Sequence, residues 1–303
     1  MKVPLSETYR PKTFTEVVGV NELDKIKNQI ADVKTMANLL FYGPAGTGKT
    51  SVAKIIIKEL QPIDYIKING SDTTGVDTIR ERVYNFITSM STTQGKPKIV
   101  WIEEFDYMSQ NAFAALRSMM EQYMSNARFI CTCNYINKIP EPIQSRFTTV
   151  EFSKAKSEEI VDRIELICTQ EGIKITKDTL LKVVERGKGD IRTILNNIQQ
   201  LSSNVDNTIL EADLSGLNDL TDEVSTLLSE KNWTKIRYEI PNRHPDYEKL
   251  LSELEEKFFS SKIETSIKAK VTEIISTGLF EMSFSFDKNI AFAAVCSRII
   301  KVI

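Results

Sequence analysis

The sequence has no long apolar run and no excess of either charge. A helix that spans a bilayer needs about 20 consecutive apolar residues. No stretch of the 303 residues approaches that length, so we expect no membrane partner. The first residues, MKVPLSETYRPKTF, contain no apolar segment of the kind found in secretory signals. We therefore expect the chain to stay where it is made, in the cytoplasm.

Basic and acidic residues nearly balance, with 39 Lys and Arg against 41 Asp and Glu. Domains that bind DNA alone are usually distinctly basic, so a nucleic-acid contact would need a local basic face or several subunits sharing it. Cysteine is scarce too. Of the four cysteines, Cys131 and Cys133 stand one residue apart, which is a poor spacing for zinc ligands. We expect four reduced thiols.

The first half of the chain alternates strand-like apolar runs with amphipathic segments, which predicts a parallel sheet wrapped by helices. The expected strands are residues 38–42, 65–69, 99–102 and 129–132, and the expected helices are residues 49–60, 75–90 and 110–123. The fold class that we predict is therefore α/β, followed by an all-α part.

The pattern changes after Phe152. Helix-like stretches follow at residues 157–171, 177–185 and 190–202, with Ser157 and Asp190 as capping candidates. A polar break lies near residues 205–208, and the chain beyond it has a helical pattern without strand signals. We predict three domains: an α/β domain at 1–152, a small helical lid domain at 153–206, and a helical C-terminal domain at 207–303.

A phosphate-binding loop follows the first expected strand. Its residues fit G-x-x-x-x-G-K-[ST] in full: Gly43, Pro44, Ala45, Gly46, Thr47, Gly48, Lys49 and Thr50. Glycines let backbone N–H groups converge on phosphate oxygens, and the helix N-terminus adds positive dipole there. Lys49 would reach the β- and γ-phosphates, and the Thr50 hydroxyl would bind Mg²⁺.

Two carboxylates, Glu103 and Glu104, end the buried run at residues 99–102. Ligands of open α/β sheets bind at the carboxyl ends of strands. Glu103 occupies the position of a Walker-type Mg²⁺ carboxylate, which is usually Asp, and its longer side chain must sit differently. Glu104 would polarise the attacking water as a general base.

Four further segments resemble those of AAA+ clamp-loader ATPases, similar to the small subunits of replication factor C and the large clamp-loader subunit of T4-like phages. They are residues 9–14 with 17–19 (YRPKTF, VVG), 132–135 (TCNY), 141–147 (EPIQSRF) and 189–196 (GDIRTILN). The resemblance covers residues 1–205 by motif and the remainder by position. It implies an AAA+ parallel-sheet P-loop domain, the lid, and a C-terminal collar that holds a ring-like hetero-oligomer together.

The resemblance also implies a role for each matching residue. The expected ATP site comprises Tyr9, Arg10, Val17, Val18, Gly43, Pro44, Ala45, Gly46, Thr47, Gly48, Lys49, Thr50, Ser51, Asn134 and Arg192. Asn134 and Arg192 would sense the γ-phosphate, and Arg146 would enter the neighbouring subunit's site as a trans arginine finger. Without the resemblance, an Arg after a loop is more often a surface cation. The expected catalytic set is Lys49, Thr50, Glu103, Glu104, Asn134, Arg146 and Arg192, with Thr50 and Glu103 on Mg²⁺.

Residues 69–80 resemble the family segment that tracks DNA phosphates, and the following helix begins near Ser109. The expected DNA contacts are Gly75, Thr78, Arg80 and Ser109. A solvated helix face is the alternative for each of them. The sequence departs from the family pattern at Phe113, where Gln is frequent, and at Phe147, where Cys is common.

Together these features predict the ATP-hydrolysing subunit of a sliding-clamp loader, with ATP and Mg²⁺ as cofactors. Its partners would be other loader subunits, the clamp and primer–template DNA, in an archaeal cytoplasm or, for a phage or virus, that of the host. Two alternatives stay open. One is a Holliday-junction branch-migration motor, and the other is an AAA+ scaffold that binds nucleotide without hydrolysing it.

Overall fold

A computed structural model describes residues 3–20, 22–61, 63–71, 76–93, 96–202, 207–211, 213–214, 220–243 and 245–303, without the side chains of residues 76–80. The chain divides into two compact units, residues 1–211 and 212–303, and we describe each by itself. The three-domain division predicted from the sequence stays a prediction.

A five-stranded parallel sheet forms the centre of the first unit, in the order β2-β3-β4-β1-β5. The strands are β1 (Leu39–Tyr42), β2 (Tyr65–Asn69), β3 (Lys98–Glu103), β4 (Ala127–Cys133) and β5 (Thr148–Glu151). Four of them were predicted. The fifth, β5, was not predicted from the sequence, because its only buried side chain is that of Val150. Its pairing with β1 across the sheet, rather than its own apolar pattern, makes it a strand.

Helices cover both faces of this sheet. The helices of the first unit are α1 (Leu5–Thr8), α2 (Leu23–Ile30), α3 (Lys49–Glu59), α4 (Val76–Thr88), α5 (Gln110–Gln122) and α6 (Glu141–Gln144), followed after the sheet by α7 (Ser157–Glu171), α8 (Lys177–Arg186) and α9 (Ile191–Leu201). Alternate residues of β1 point to opposite faces. Leu39 and Phe41 accordingly lie in one apolar cluster and Leu40 in the other. The predicted α/β class is confirmed.

The two predicted helix caps differ in outcome. The cap at Asp190 is confirmed, because its Oδ1 accepts hydrogen bonds from the backbone N–H groups of Arg192 at 2.9 Å and Thr193 at 3.1 Å. The prediction that Ser157 caps α7 is wrong. Ser157 is the first residue of α7, and the N-cap position belongs to Lys156, whose side chain makes no capping hydrogen bond.

A second, two-stranded parallel ladder lies after α7. It pairs β6 (Lys174–Ile175) with β7 (Thr208–Ile209), so that Lys174 stands opposite Thr208 and Ile175 opposite Ile209. The expectation of an entirely helical chain beyond the main sheet is therefore wrong at these residues. Strands of two residues are too short to show a period in the sequence.

The second unit is helical over its described residues. Its helices are α10 (Leu220–Ser229), α11 (Trp233–Tyr238), α12 (Tyr247–Ser260), α13 (Thr265–Phe284) and α14 (Lys288–Ile300), which enclose an apolar core of their own. A close approach of α13 to α14 occurs at Gly278, where a Cβ would overlap the Val295 side chain. Among the described helices of the whole chain, none has the length and apolar character needed to cross a bilayer.

Candidate nucleotide-binding site

The candidate site is a cavity of about 370 Å³ in the first unit. It lies where β1, β3 and β4 reach their carboxyl ends, the position expected for a ligand of an open α/β sheet. The loop after β1, the residues that follow β3 and β4, and the start of α9 all contribute to its lining. Lys49, Thr50, Glu104, Asn134 and Arg192 all line this cavity, and their roles stay predictions.

The phosphate-binding loop depends on two of its glycines. Gly43 has a φ of +136°, and a Cβ there would overlap the backbone carbonyl of Phe152. Gly46 has a φ of +74°, and a Cβ there would overlap the carboxylate of Asp190, the cap of α9. Both glycines therefore permit a left-handed backbone and a close approach at the same position. Through Gly46, the loop packs directly against the start of α9.

Lys49 bends back over this loop. Its Nζ donates hydrogen bonds to the backbone carbonyls of Gly43 at 2.7 Å and Pro44 at 2.6 Å. The residue is 8% exposed. Burial lowers the pKa of Lys49 from its usual 10.5 to about 8. An anion bound in the cavity would supply the charge that stabilises the ammonium form.

The two predicted carboxylates differ in their surroundings. Glu103 forms an ion pair with Lys67 of β2, with 2.5 Å between Nζ and Oε2. The Lys67 ammonium also lies 4.6 Å from the ring centroid of Trp101. Glu104 has a φ of +52°, a left-handed conformation that few non-glycine residues adopt. Glu103 is thus already paired in this structure, whereas Glu104 lines the cavity on a strained backbone.

Asp106 is a cavity residue that the sequence analysis missed. It is 6% exposed, and its Oδ2 accepts hydrogen bonds from the backbone N–H groups of Asn134 at 3.2 Å and Tyr135 at 3.0 Å. Its Oδ1 is buried without a hydrogen-bond partner. A buried orphan oxygen is costly unless a ligand satisfies it. The signal was present in the sequence, since Asp106 follows the Glu103–Glu104 pair by two residues.

The donor set around the cavity fits a Mg²⁺ ion. Thr50, Glu103 and Asp106 all line it, and the orphan Oδ1 of Asp106 offers a free ligand atom. Among the described residues, no group of three or more His, Cys, Asp or Glu side chains could hold a metal by itself. This suits Mg²⁺, which is usually held by one or two carboxylates together with the substrate's phosphates.

Cations outnumber carboxylates in the lining. Six basic side chains, Arg10, Lys49, Lys54, Lys67, Arg163 and Arg192, face four acidic ones, Glu16, Glu103, Glu104 and Asp106. The pKa of Lys54 is lowered, first by burial and then by the nearby charges of Arg10 and Lys67. Such crowding of like charges favours an anionic ligand.

The N-terminal segment, residues 3–20, lines part of the cavity and also contacts α7. Tyr9, Arg10, Val17 and Val18 line the cavity as predicted. The Tyr9 hydroxyl donates to Glu171 Oε1 of α7 at 2.8 Å. Arg10 pairs with Glu7, and its Nε is buried without a hydrogen-bond partner. The segment is thus held to α7 and still reaches the cavity.

Comparisons with known proteins agree with this geometry. Residues 39–155 match the model of the ATPase family associated with various cellular activities (AAA). These residues of the chain are therefore an AAA domain. Replication factor C small subunit 2 of Pyrobaculum islandicum is 39% identical over 197 residues, which are 64% of this chain and 62% of that protein. The replication factor C small subunit of Methanosphaera stadtmanae is 36% identical over 216 residues, 70% of this chain and 66% of that protein.

The chain spans less than two thirds of the length of both of these relatives. Among solved structures, the RuvB Holliday-junction branch-migration motor of Thermotoga maritima has a TM-score of 0.59 at 18% identity, covering 74% of this chain and 80% of that chain. At this identity the likeness shows the AAA fold alone. The likeness in sequence to proteins named replication factor C small subunit is therefore the more informative one.

Arg146 stands apart from the cavity of its own AAA domain, whose described lining does not include it. Its guanidinium pairs with Glu121 of α5 and donates to the backbone carbonyl of Pro142. The side chain is 26% exposed, so it lies at the surface rather than in the core. The hydrogen bonds from Arg146 and Arg117 lower the pKa of Glu121.

The predicted DNA contacts are only partly described. Gly75 lies outside the described residues, and the side chains of Thr78 and Arg80 on α4 are not described either. Ser109 is the N-cap of α5, where its Oγ accepts a hydrogen bond from the backbone N–H of Ala112 at 3.3 Å. The DNA role of all four residues stays a prediction.

Proposed function

We propose that this chain is the ATP-hydrolysing subunit of a DNA sliding-clamp loader. The observation that supports this proposal is the separation of Arg146 from the other predicted catalytic residues. Lys49, Glu104, Asn134 and Arg192 meet at one cavity, whereas Arg146 lies at the surface outside it. A cation so placed can serve the site of an adjoining copy. The similarity to proteins named replication factor C small subunit supports the same assignment.

In this proposal ATP enters with its phosphates against the loop at residues 43–50. Lys49 leaves the carbonyls of Gly43 and Pro44 and binds the β- and γ-phosphates. Tyr9, Val17 and Val18 cover the adenine and ribose, while Arg192 contacts the γ-phosphate from α9 through a charged hydrogen bond. Because α9 also packs against Gly46, nucleotide binding and the position of α9 are coupled.

Mg²⁺, when bound, would neutralise charge on the β- and γ-phosphates. Thr50, Asp106 and Glu103 would hold it, and Glu103 would then share its charge between the metal site and Lys67. Asp106 can bind the ion without losing another contact at its Oδ1, which has no hydrogen-bond partner in the structure, whereas Glu103 is paired with Lys67.

Hydrolysis then needs an oriented water. Glu104 accepts a proton from the water while the water oxygen bonds to the γ-phosphorus. The bond between the γ-phosphorus and the oxygen that bridges to the β-phosphate breaks, which releases ADP and phosphate. Asn134 can hold the water and a phosphate oxygen together. Arg146 of the adjoining subunit neutralises the charge that develops during transfer.

The proposed cycle uses ATP binding for loading and hydrolysis for release. ATP orders a ring-like assembly with other loader subunits, which binds and opens the clamp. Primer–template DNA, contacted by Gly75, Thr78, Arg80 and Ser109, triggers hydrolysis. Loss of the γ-phosphate then loosens the assembly.

ATP turnover by the assembled complex, with and without primed DNA and a candidate clamp, tests this function. We expect strong stimulation by DNA and clamp together, and we expect Glu104→Gln to abolish it. Clamp should co-purify with the complex in a non-hydrolysable ATP analogue but not in ADP. Unwinding of four-way junctions would instead favour a branch-migration motor. Nucleotide binding without turnover would favour the scaffold, whose motivation is the pairing of Glu103 with Lys67.

A further inference from the structure

Three aromatic rings meet beside the loop that follows β3. Phe105 is fully buried, and its ring centroid lies 5.2 Å from that of Phe113 and 5.8 Å from that of Phe147. Both ring pairs are edge-on, an arrangement that aromatic side chains prefer in protein cores. We refer to Phe105, Phe113 and Phe147 as the aromatic cluster. It joins the turn after β3 and the start of α5 to the segment between α6 and β5.

The members of the aromatic cluster adjoin residues of proposed function. Phe105 directly follows Glu104, and Phe147 directly follows Arg146. Phe113 lies on α5, the helix that also carries Glu121, the ion-pair partner of Arg146. A short path therefore connects the carboxylate at the cavity with the cation at the surface: the backbone leads from Glu104 to Phe105 and from Phe147 to Arg146, and the two rings pack on each other.

The backbone at Glu104 needs support from its surroundings. A φ of +52° persists in a non-glycine residue only where neighbouring structure holds it. On one side, Gly70 donates its N–H to the carbonyl of Glu103 at 2.7 Å, and a Cβ at Gly70 would overlap the carbonyl of Glu104. On the other side, the buried Phe105 ring anchors the next residue. The direction of the Glu104 carboxylate thus depends on the position of that ring.

We propose that the aromatic cluster is a positioning device that sets Glu104 and Arg146 together. This inference rests on the proposed function of those two residues. Because interiors are close-packed, a displaced ring shifts its neighbours instead of compressing. The carboxylate that serves a subunit's own site and the arginine lent to the adjoining site therefore keep one fixed relation. Phe113 and Phe147, the two departures from the clamp-loader pattern, contact the same ring and so act as one change.

The first test compares two substitutions at Phe147 in the assembled complex. Phe147→Leu removes the ring, and Phe147→Tyr keeps it. We expect the Leu variant to lower kcat by about threefold to tenfold, the effect of one lost ring contact, with unchanged affinity for a fluorescent ATP analogue. The Tyr variant should retain the wild-type kcat. Equal behaviour of the two variants, or a loss confined to nucleotide affinity, would overturn the proposal.

The second test isolates the effect on the adjoining site. Wild-type copies are assembled with an excess of Glu104→Gln copies, which lend Arg146 but cannot turn over ATP themselves. Adding Phe147→Leu to the Glu104→Gln copies should lower turnover by the wild-type copies by about the same factor. Unchanged turnover would refute the link to Arg146.

Controls separate this proposal from its premises. Phe129→Leu removes a buried ring near the start of β4, in the same core, and should cost comparable thermal stability without changing kcat. A Phe129→Leu loss of kcat equal to that of Phe147→Leu would show that general core packing is responsible. If Glu104→Gln or Arg146→Ala leaves turnover at the wild-type level, the proposed function itself fails, whatever the aromatic cluster does.

Discussion

The two units of this chain use their interiors differently. The first unit places charged and polar groups at a cavity and accepts local costs there: a left-handed Glu104, a buried Lys49 with a lowered pKa, and an Asp106 oxygen without a partner. In the described part of the second unit, the helices pack around an apolar core. Some large apolar side chains, such as those of Phe280 and Phe284, are exposed at its surface. Single features of this kind occur in the second unit too, at the left-handed Lys231 and at the buried Oε2 of Glu223, which has no hydrogen-bond partner. What distinguishes the first unit is that several of them line one cavity, which is where chemistry is expected.

The largest effect that this contrast predicts is at Arg146. Arg146→Ala should lower ATP turnover of the assembled complex by about 10³-fold or more, the range for trans arginine fingers. Nucleotide affinity should change little, since Arg146 lies outside the lining of its own cavity. Steady-state turnover and nucleotide titration measure the two effects.

The matched control for Arg146 is Arg117→Ala. Arg117 pairs with the same Glu121, with 3.2 Å between Nε and Oε1, and is 49% exposed. Its loss should leave turnover nearly unchanged. An equal loss in both variants would mean that the charge balance of α5, and not a trans contact, is what matters.

The buried lysine predicts a pH dependence of ATP binding. Phosphates favour the ammonium form, so Lys49 takes up a proton on binding once the free protein has lost it. Affinity should therefore be nearly constant below the free pKa of about 8 and fall above it, by up to about tenfold per pH unit. Titration of an ATP analogue between about pH 7.5 and about pH 9.5 measures this, with Lys49→Met as the flat reference.

In the second unit the sharpest packing test is Gly278→Ala. The new Cβ would overlap Val295 on α14, so we expect a loss of about 1 kcal/mol in the free energy of unfolding, despite the better helix propensity of Ala. In a Val295→Ala background the same change should be neutral or stabilising. Urea unfolding measures both. A change in nucleotide affinity would contradict the assignment of nucleotide binding to the first unit.

An effect of similar size is expected at the cap of α9, and the smallest of all at its conservative variant. Asp190→Ala leaves the N–H groups of Arg192 and Thr193 without their acceptor and should cost about 1 kcal/mol of stability. Asp190→Asn keeps an acceptor and should cost only a few tenths of that. Thermal unfolding distinguishes the two, and equal losses would mean that the carboxylate charge beside Gly46 dominates.

Much of the fold could be predicted because its signals are local. Four strands, the phosphate-binding loop and the Asp190 cap each depend on a few neighbouring residues. By contrast, β5 and the β6–β7 pair are strands because of what lies beside them, and their sequences carry little period of their own. The same holds for the site: Glu103 and Glu104 were visible as a pair, but the ion pair of Glu103 with Lys67 joins separate strands.

The amino-acid sequence determined which chemical groups are present. They are a glycine-rich loop for phosphates, a pair of carboxylates, an amide after a strand, and the two arginines Arg146 and Arg192. Only the tertiary structure decided how these groups stand. In the folded chain, the Oδ1 of Asp106 has no hydrogen-bond partner and the backbone of Glu104 is left-handed. The side chains of Phe113 and Phe147 both pack against the ring of Phe105. The physical reason is range. Backbone preference and period act over a few residues, whereas burial, charge pairing and ring packing depend on side chains that the fold brings together from distant positions.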